Sequence, residues 1–353
     1  MLLKRSVHVV SAHCGGEKCD VITGGVPYIP GKTMYEKVRH LIEEKDDIRQ
    51  LIIQEPRGAC NRNVNLLTAP CDPSADIGLI IMEADEYPPM SGGNIIASVT
   101  IMLETGIIPI KGPEGKVVVD TPAGIVETHY VFNEARQKVT KVTFDNVPAF
   151  VFGLDLPVDV PGYGTIKVDI AWGSMFYVLV SASSLPSSVS LVPEQGAELV
   201  RLGELIKGAV RKQHHPVHPE QPAFKEVTIL EFMGDVEVVD SVKRSTNAVV
   251  VSPGRLDRCA CGTGTSARLA VLHARGQLAV DEEFRHRSPI GCEFSARIKG
   301  MTKVGEYDAV LPSVGGQAWI SAFSQYVLDP TDPFPTGFRC GDLWPNNQLE
   351  GAL

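Results

Sequence analysis

The pattern of apolar and polar positions along the chain repeats one succession of elements twice. The apolar run IGLIIMEA leads through Pro88 and Pro89 into Ser91-Gly92-Gly93-Asn94, then IIASVTIMLET, then Gly106. Later, NAVVVSPG leads through LDR into Cys261-Gly262-Thr263-Gly264, then TSARLAVLHAR, then Gly276. Each segment reads as strand, small-residue turn, helix and glycine stop, with fifteen positions from Ser91 to Gly106 and from Cys261 to Gly276. Each is followed by a hairpin pattern centred on Pro-x-Gly, at Pro122 and Gly124 and again at Pro289 and Gly291. The β-rich runs KVTKVTFDNVPAFVFGL, GTIKVDIAWGSMFYVLVSA and YDAVLPSVGGQAWISAFSQYVLD read as strands, and amphipathic helices are predicted over Met34–Glu44 and Glu194–Lys212. The inferred class is α/β (α+β), with two related domains. Each is a curved, mainly antiparallel sheet around an apolar central helix, with a cleft between them. The boundaries predicted are 1–138 plus 312–353 for a domain carrying Ser91, and 139–311 for a second carrying Cys261.

Composition narrows the function. A chain of 353 residues with 44% hydrophobic content can bury two cores. A net charge of −9 and a longest basic stretch of only Arg285-His286-Arg287 argue against nucleic acid and anionic membranes as partners. The start, MLLKRSVHVVSAHCGG, is too interrupted for a signal or a spanning helix, so a cytoplasmic location is the default expectation. Eight cysteines are too sparse for a disulfide scaffold and read as mostly reduced thiols.

The candidate chemistry sits at the two helix starts. A first helical turn offers free N–H groups and about half a positive charge, so it holds a carboxylate and favours a thiolate. Cys261 in such a place is expected to titrate below the free value of about 8.5 and to act as a base. Amides of Gly92, Gly93, Gly262, Thr263 and Gly264 would grip a substrate carboxylate and stabilise charge as the α-carbon loses its proton. No pyridoxal phosphate is then required. CGTGTS lacks the lysine of a phosphate-binding loop, and the GxGxxG spacing of a dinucleotide site is absent. His214-His215-x-x-His218 reads as a solvated, proline-rich loop rather than a metal site. Cys14, Cys19 and His13 lack a second ligand pair at a characteristic spacing. Phe176 and Tyr177 fit either a cleft or a core.

DRCACGTGTSARLAVLHARG, from Asp257 to Gly276, resembles the signature of the proline racemase family, usually DRSPCGTGTSAR with a downstream ARG. AHCGGEKCDVITGG, EPRG at Glu55–Gly58, PPMSGGN at Pro88–Asn94, DTPAG at Asp120–Gly124, NVPAF at Asn146–Phe150, GGQAW and VLDPTDPF extend the resemblance over nearly the whole chain. It implies a diaminopimelate-epimerase-like fold, with the active site in an interdomain cleft. It further implies a homodimer, no metal or organic cofactor, and a small imino acid, proline or hydroxyproline, as substrate. By the resemblance Cys261 and Ser91 take the two acid/base positions, Ser91 where racemases have cysteine. Asp257 contacts the ring nitrogen, and Gly92, Gly93, Asn94, Gly262, Thr263 and Gly264 surround the substrate.

Three departures bear on the reaction. Gly93 stands where a histidine is usual, Ala59 ends the EPRG pattern where histidine is usual, and Cys259-Ala260 replaces Ser-Pro. Cys259 reads as a structural thiol, with a regulatory disulfide or a shifted nucleophile as alternatives. A racemase needs each flanking group to serve as acid and as base. Serine is a poor base, so the pair is lopsided, which suits dehydration of trans-3-hydroxy-L-proline to a pyrroline carboxylate. 4-Hydroxyproline 2-epimerase or proline racemase is the alternative, and a non-catalytic imino-acid binding protein a further one.

Overall fold

Thr33 shows how local chemistry starts an element. Its Oγ1 accepts the N–H of Glu36 at 3.1 Å, and the Glu36 carboxylate accepts from the N–H of Lys32 at 2.6 Å, a reciprocal cap that opens the first helix at Met34. The computed structural model describes residues 4–344. In chain order these are β1 (Arg5–Cys14), β2 (Glu17–Gly24), α1 (Met34–Glu44), α2 (Asp47–Ile53), β3 (Arg62–Thr68), β4 (Ile77–Met82), α3 (Gly92–Glu104), β5 (Glu114–Thr121) and β6 (Gly124–Phe132). There follow β7 (Val139–Asp145), β8 (Ala149–Val160), β9 (Gly164–Trp172), β10 (Phe176–Ser181), α4 (Gly196–Gln213), β11 (Val227–Met233), β12 (Glu237–Val239) and β13 (Val242–Val251). The chain continues through β14 (Arg255–Leu256), α5 (Gly262–Ala274), β15 (Phe284–Arg287), β16 (Glu293–Val304), β17 (Tyr307–Gly316) and β18 (Ala318–Leu328).

Two compact units account for these elements. One holds the described residues up to Thr140, Ser252–Gly254, and those from Gln317 onward; the other holds Lys141–Val251 and Arg255–Gly316. In the first, strands pair in the order β18-β1-β2-β3-β4-β5-β6, with β2–β3 and β4–β5 parallel and the others antiparallel. In the second the order is β8-β9-β10-β11-β13-β15-β16-β17, with β10–β11 and β13–β15 parallel. There β17 also pairs with β8 through Ala309–Phe150 and Val310–Ala149, closing the strands into a ring. The same alternation of antiparallel and parallel pairs thus runs through β1–β6 and through β9, β10, β11, β13, β15 and β16.

The central helices occupy the inside of these sheets. Helix α3 packs on β1, β2 and β18, and α5 on β8, β9 and β17. Both are buried along almost their full length, which is why IIASVTIMLET has no polar face. Gly106 and Gly276 end them in the left-handed region, at φ 75° and 68°. Wrap-back bonds run from Ile108 N–H to Met102 C=O at 3.0 Å and from Gln277 N–H to Leu272 C=O at 2.8 Å.

Amphipathic helices cover the outer faces, and strand alternation separates the two layers. On β10, Tyr177 and Leu179 face the α5 side, while Phe176, Val178 and Val180 join Leu199, Leu202, Ile206 and Val210 of α4. Truncating one of these, as in Leu202→Ala, costs about 2–5 kcal/mol. Two expectations need adjustment. The second amphipathic helix begins at Gly196 after a short 3-10 turn over Pro193–Gln195, and ends at Gln213. His218 is not solvated: it is buried against the rings of Trp172 and Phe150, with Nδ1 accepting from Gln221 N–H at 3.1 Å.

Candidate active site

The start of α3 is held by a chain of neutral amides. Ser91 is the N-cap in extended backbone, φ −151°, but its side chain does not cap the helix. Its Oγ instead accepts from Asn94 Nδ2 at 3.0 Å. The Asn94 Oδ1 accepts from Asn65 Nδ2 on β3 at 2.8 Å, and Asn65 also donates to the Asp20 carbonyl at 3.1 Å. Beneath lies the buried ion pair of Asp20 and Arg62, 2.9 Å apart. Accepting that bond leaves the Ser91 hydroxyl proton available to donate. Gly92, Gly93 and Asn94 are buried beside it in the first turn.

The start of α5 is built differently. Cys261 is the N-cap at φ 56° and ψ 106°, left-handed backbone that costs a non-glycine residue about 1–3 kcal/mol. The loop before it is stapled by local bonds. Asp257 Oδ1 accepts from Cys259 N–H at 2.9 Å, Cys259 Sγ accepts from Cys261 N–H at 3.3 Å, and Asn247 Nδ2 donates to the Ala260 carbonyl at 2.9 Å. These bonds support Cys259 as a thiol standing in for a hydroxyl. No disulfide joins it to another cysteine among the described residues.

The buried Tyr177 hydroxyl lies 3.3 Å from Cys261 Sγ and 2.5 Å from Thr263 Oγ1. Gly264 is required by its surroundings: a Cβ there would sit 2.5 Å from Glu231 Oε2 and 3.3 Å from Cys261 Sγ. Glu231 and His286 are both fully buried, with Oε1 and Nε2 3.5 Å apart, and His286 Nδ1 is 2.9 Å from Thr265 Oγ1. Asn146 of the NVPAF motif anchors the same turn, donating to the Gly173 carbonyl at 3.0 Å and Ser266 Oγ at 2.9 Å.

Titration in this pocket of charge differs from the expectation for a helix start. Burial pushes the Cys261 thiol up, and the Asp257 carboxylate adds to the rise; the Tyr177 hydroxyl and the Gly264 N–H oppose it without prevailing. The half-charge of a helix terminus does not offset the desolvation of a sulfur that is 7% exposed. Burial also pushes Glu231 up to about 8, against the attraction of Arg268. It holds His286 well below its usual range, with the Arg268 charge adding to the effect, and keeps Tyr177 a neutral phenol.

The structure thus brings Ser91, Gly92, Gly93 and Asn94 together in one unit, and Asp257, Cys261, Gly262, Thr263 and Gly264 together in the other. Sequence reasoning missed Asn65, Glu231 and His286, and left Tyr177 undecided. Among the described residues no group of three or more His, Cys, Asp or Glu side chains has the arrangement to hold a metal ion.

The family model for proline racemase matches residues 9–339. The chain belongs to the proline racemase family. Two solved members resemble it over nearly their whole length. A probable proline racemase from Agrobacterium radiobacter K84, with bound carbonate, is 36% identical, with 96% of this chain and 98% of that one covered and a TM-score of 0.87. A hydroxyproline epimerase from Agrobacterium vitis, with bound trans-4-hydroxy-L-proline, is 35% identical, with 98% of each chain covered and a TM-score of 0.88. A phenazine biosynthesis protein of the PhzF family from Bacillus anthracis is 10% identical at a TM-score of 0.57, over 91% of this chain and 99% of that one. That is a likeness of fold alone. Family membership places the expected strand-wrapped α/β class on firm ground.

Proposed function

We propose that this protein removes the α-proton of a proline-type imino acid without an organic cofactor, and that its principal reaction is dehydration of trans-3-hydroxy-L-proline. The observation that carries the reading is the unlike chemistry of the two lead side chains, a thiol at Cys261 and an amide-held hydroxyl at Ser91. Cys261 is the base. Its resting state is the thiol, because burial and Asp257 disfavour the charge. A substrate ring ammonium set against Asp257 cancels that carboxylate, and Tyr177 and the Gly264 amide then hold the thiolate.

The thiolate takes the proton from C2, the C–H electron pair becomes the C2–C3 double bond, and the C3–O bond breaks. The thiol's own proton passes to solvent as the thiolate forms, and the C2 proton returns the sulfur to its resting thiol; the Ser91 hydroxyl proton goes to the departing oxygen, which leaves as water, and solvent restores the Ser91 proton. The product is a pyrroline carboxylate. A substrate carboxylate resting on the first-turn amides of Gly262, Thr263 and Gly264 gains stabilisation as its α-carbon acquires charge. Serine is a poor base, so return of a proton to the opposite face, as inversion requires, is the disfavoured branch.

Epimerisation of 4-hydroxyproline at C2 is the second reading, favoured by the 35% identity to the Agrobacterium vitis hydroxyproline epimerase over 98% of both chains. Proton NMR of trans-3-hydroxy-L-proline and the 4-hydroxyproline isomers in deuterated buffer separates the two. Loss of the C3 proton pattern and appearance of a pyrroline product are expected with the former. No pyrroline product from it, together with inversion of 4-hydroxyproline, establishes the epimerase instead. Binding without exchange at any C2 leaves a binding protein.

A further inference from the structure

The second unit contains a cavity of about 560 Å³ beside the C-terminal half of α5, away from Cys261 along the helix. Its floor is made by Arg268, Met233, Leu179 and Asp169, and its rim includes Lys167 and Asp235. It opens where the parallel strands β10 and β11 end, at Ser181 and at Met233 and Gly234.

Arg268 is the unusual member. Its side chain is 6% exposed, its Nε has no hydrogen-bond partner, and its Nη1 donates to the thioether of Met233 at 2.8 Å. A thioether is a weak acceptor, and an arginine cannot shed its charge, so the buried guanidinium is left without an anion of its own. The other charges at the cavity do not supply one. Asp169 and Asp155 are both engaged by Arg275, at 2.7 and 3.1 Å, and Asp155 N–H further occupies Asp169 Oδ1 at 2.9 Å. Glu231 is not part of the cavity lining, and burial pushes it up to about 8. Arg275 brings one positive charge to those two carboxylates, so with Lys167, Arg268 and Asp235 the lining holds three cations and three carboxylates; Arg268 is set apart because its buried guanidinium is hydrogen-bonded to none of the three.

We propose that this cavity is a second ligand site, distinct from the helix starts, which binds a small oxyanion, carboxylate or phosphate, through the guanidinium of Arg268 with Lys167 at the mouth. A planar guanidinium presents paired donors to two oxygens of one such group, a geometry that no residue of the cavity now uses. Asp235 tunes the site by repulsion. The inference is independent of which reaction the helix starts perform.

Calorimetric titration of the full-length protein with inorganic phosphate and, separately, with succinate tests it, and the two arms show which oxyanion is preferred. Saturable binding of at least one is expected, and it should persist in Cys261→Ala. Lys167→Ala, a surface change that spares folding, should weaken binding about three- to tenfold, and Asp235→Asn should tighten it by a similar factor. Arg268→Met should abolish it; should that variant not fold, the opposite responses of the Lys167 and Asp235 variants decide. Binding of neither anion, or binding that none of these substitutions moves, overturns the proposal.

Discussion

Ser91 sits in relaxed extended backbone with its oxygen held by an amide, whereas Cys261 sits in left-handed backbone with its sulfur beside a phenol and two carboxyl groups. The two helix starts share one strand order, so the contrast arises from single side chains. The third residue after each lead position decides much of it. Asn94 fills the place beside Ser91 and links it to Asn65 on β3, while Gly264 vacates the matching place and lets Glu231 on β11 come close. One start is thereby a neutral donor fixed by hydrogen bonds, and the other a thiol whose charge depends on its surroundings. A symmetrical fold has been made chemically unsymmetrical.

The strongest way to break the comparison is to remove the sulfur. Cys261→Ala should lower turnover of the preferred imino acid by at least about a thousandfold in a steady-state assay, with circular dichroism unchanged. Making the two starts alike comes next. Ser91→Cys supplies a second group able to act as base, and the ratio of C2 inversion to elimination, read by chiral chromatography, should rise at least about tenfold.

Tyr177→Phe removes the hydroxyl beside the sulfur. Hydrogen bonds to charged groups are worth about 1.5–3 kcal/mol, so the rate of iodoacetamide labelling of Cys261 at fixed pH should fall about ten- to a hundredfold. The same hydroxyl is hydrogen-bonded to Thr263 Oγ1 at 2.5 Å, and Thr263→Val measures the share of the effect that runs through that bond.

The smallest effect concerns Glu231. Its folded-state pKa is raised to about 8, so its neutral form contributes stability that is fully present below about 4.5 and is lost as pH rises through 8. Melting temperature should therefore decline over that window, and Glu231→Gln should flatten the decline. In the same variant Cys261 labelling above pH 8 should quicken about two- to fivefold, because a carboxylate that opposes the thiolate is gone.

Much of this was legible in the chain. The equal spacing from Ser91 to Gly106 and from Cys261 to Gly276 gave both central helices, and the amphipathic pattern gave α1 over its observed residues, Met34–Glu44. The buried polar groups were not. Glu231 in TILEFMG and His286 in RHR look like surface residues, because a strand's alternation does not say which face is covered when both are. On β15 the alternation turns His286 inward to Glu231 and leaves Arg285 and Arg287 on the other face. The rise in the Cys261 pKa was hidden for a related reason: helix position is readable from sequence, but the depth of burial that opposes it is not.

The most direct test of the assigned roles is deuterium uptake at C2 of trans-3-hydroxy-L-proline in Ser91→Ala and in Cys261→Ser, followed by proton NMR alongside pyrroline formation. If Cys261 is the base and Ser91 only the proton donor to the leaving oxygen, Ser91→Ala retains C2 exchange while elimination falls at least about tenfold, and Cys261→Ser loses both. Undiminished C2 exchange in Cys261→Ser, or its disappearance in Ser91→Ala alone, contradicts the assignment.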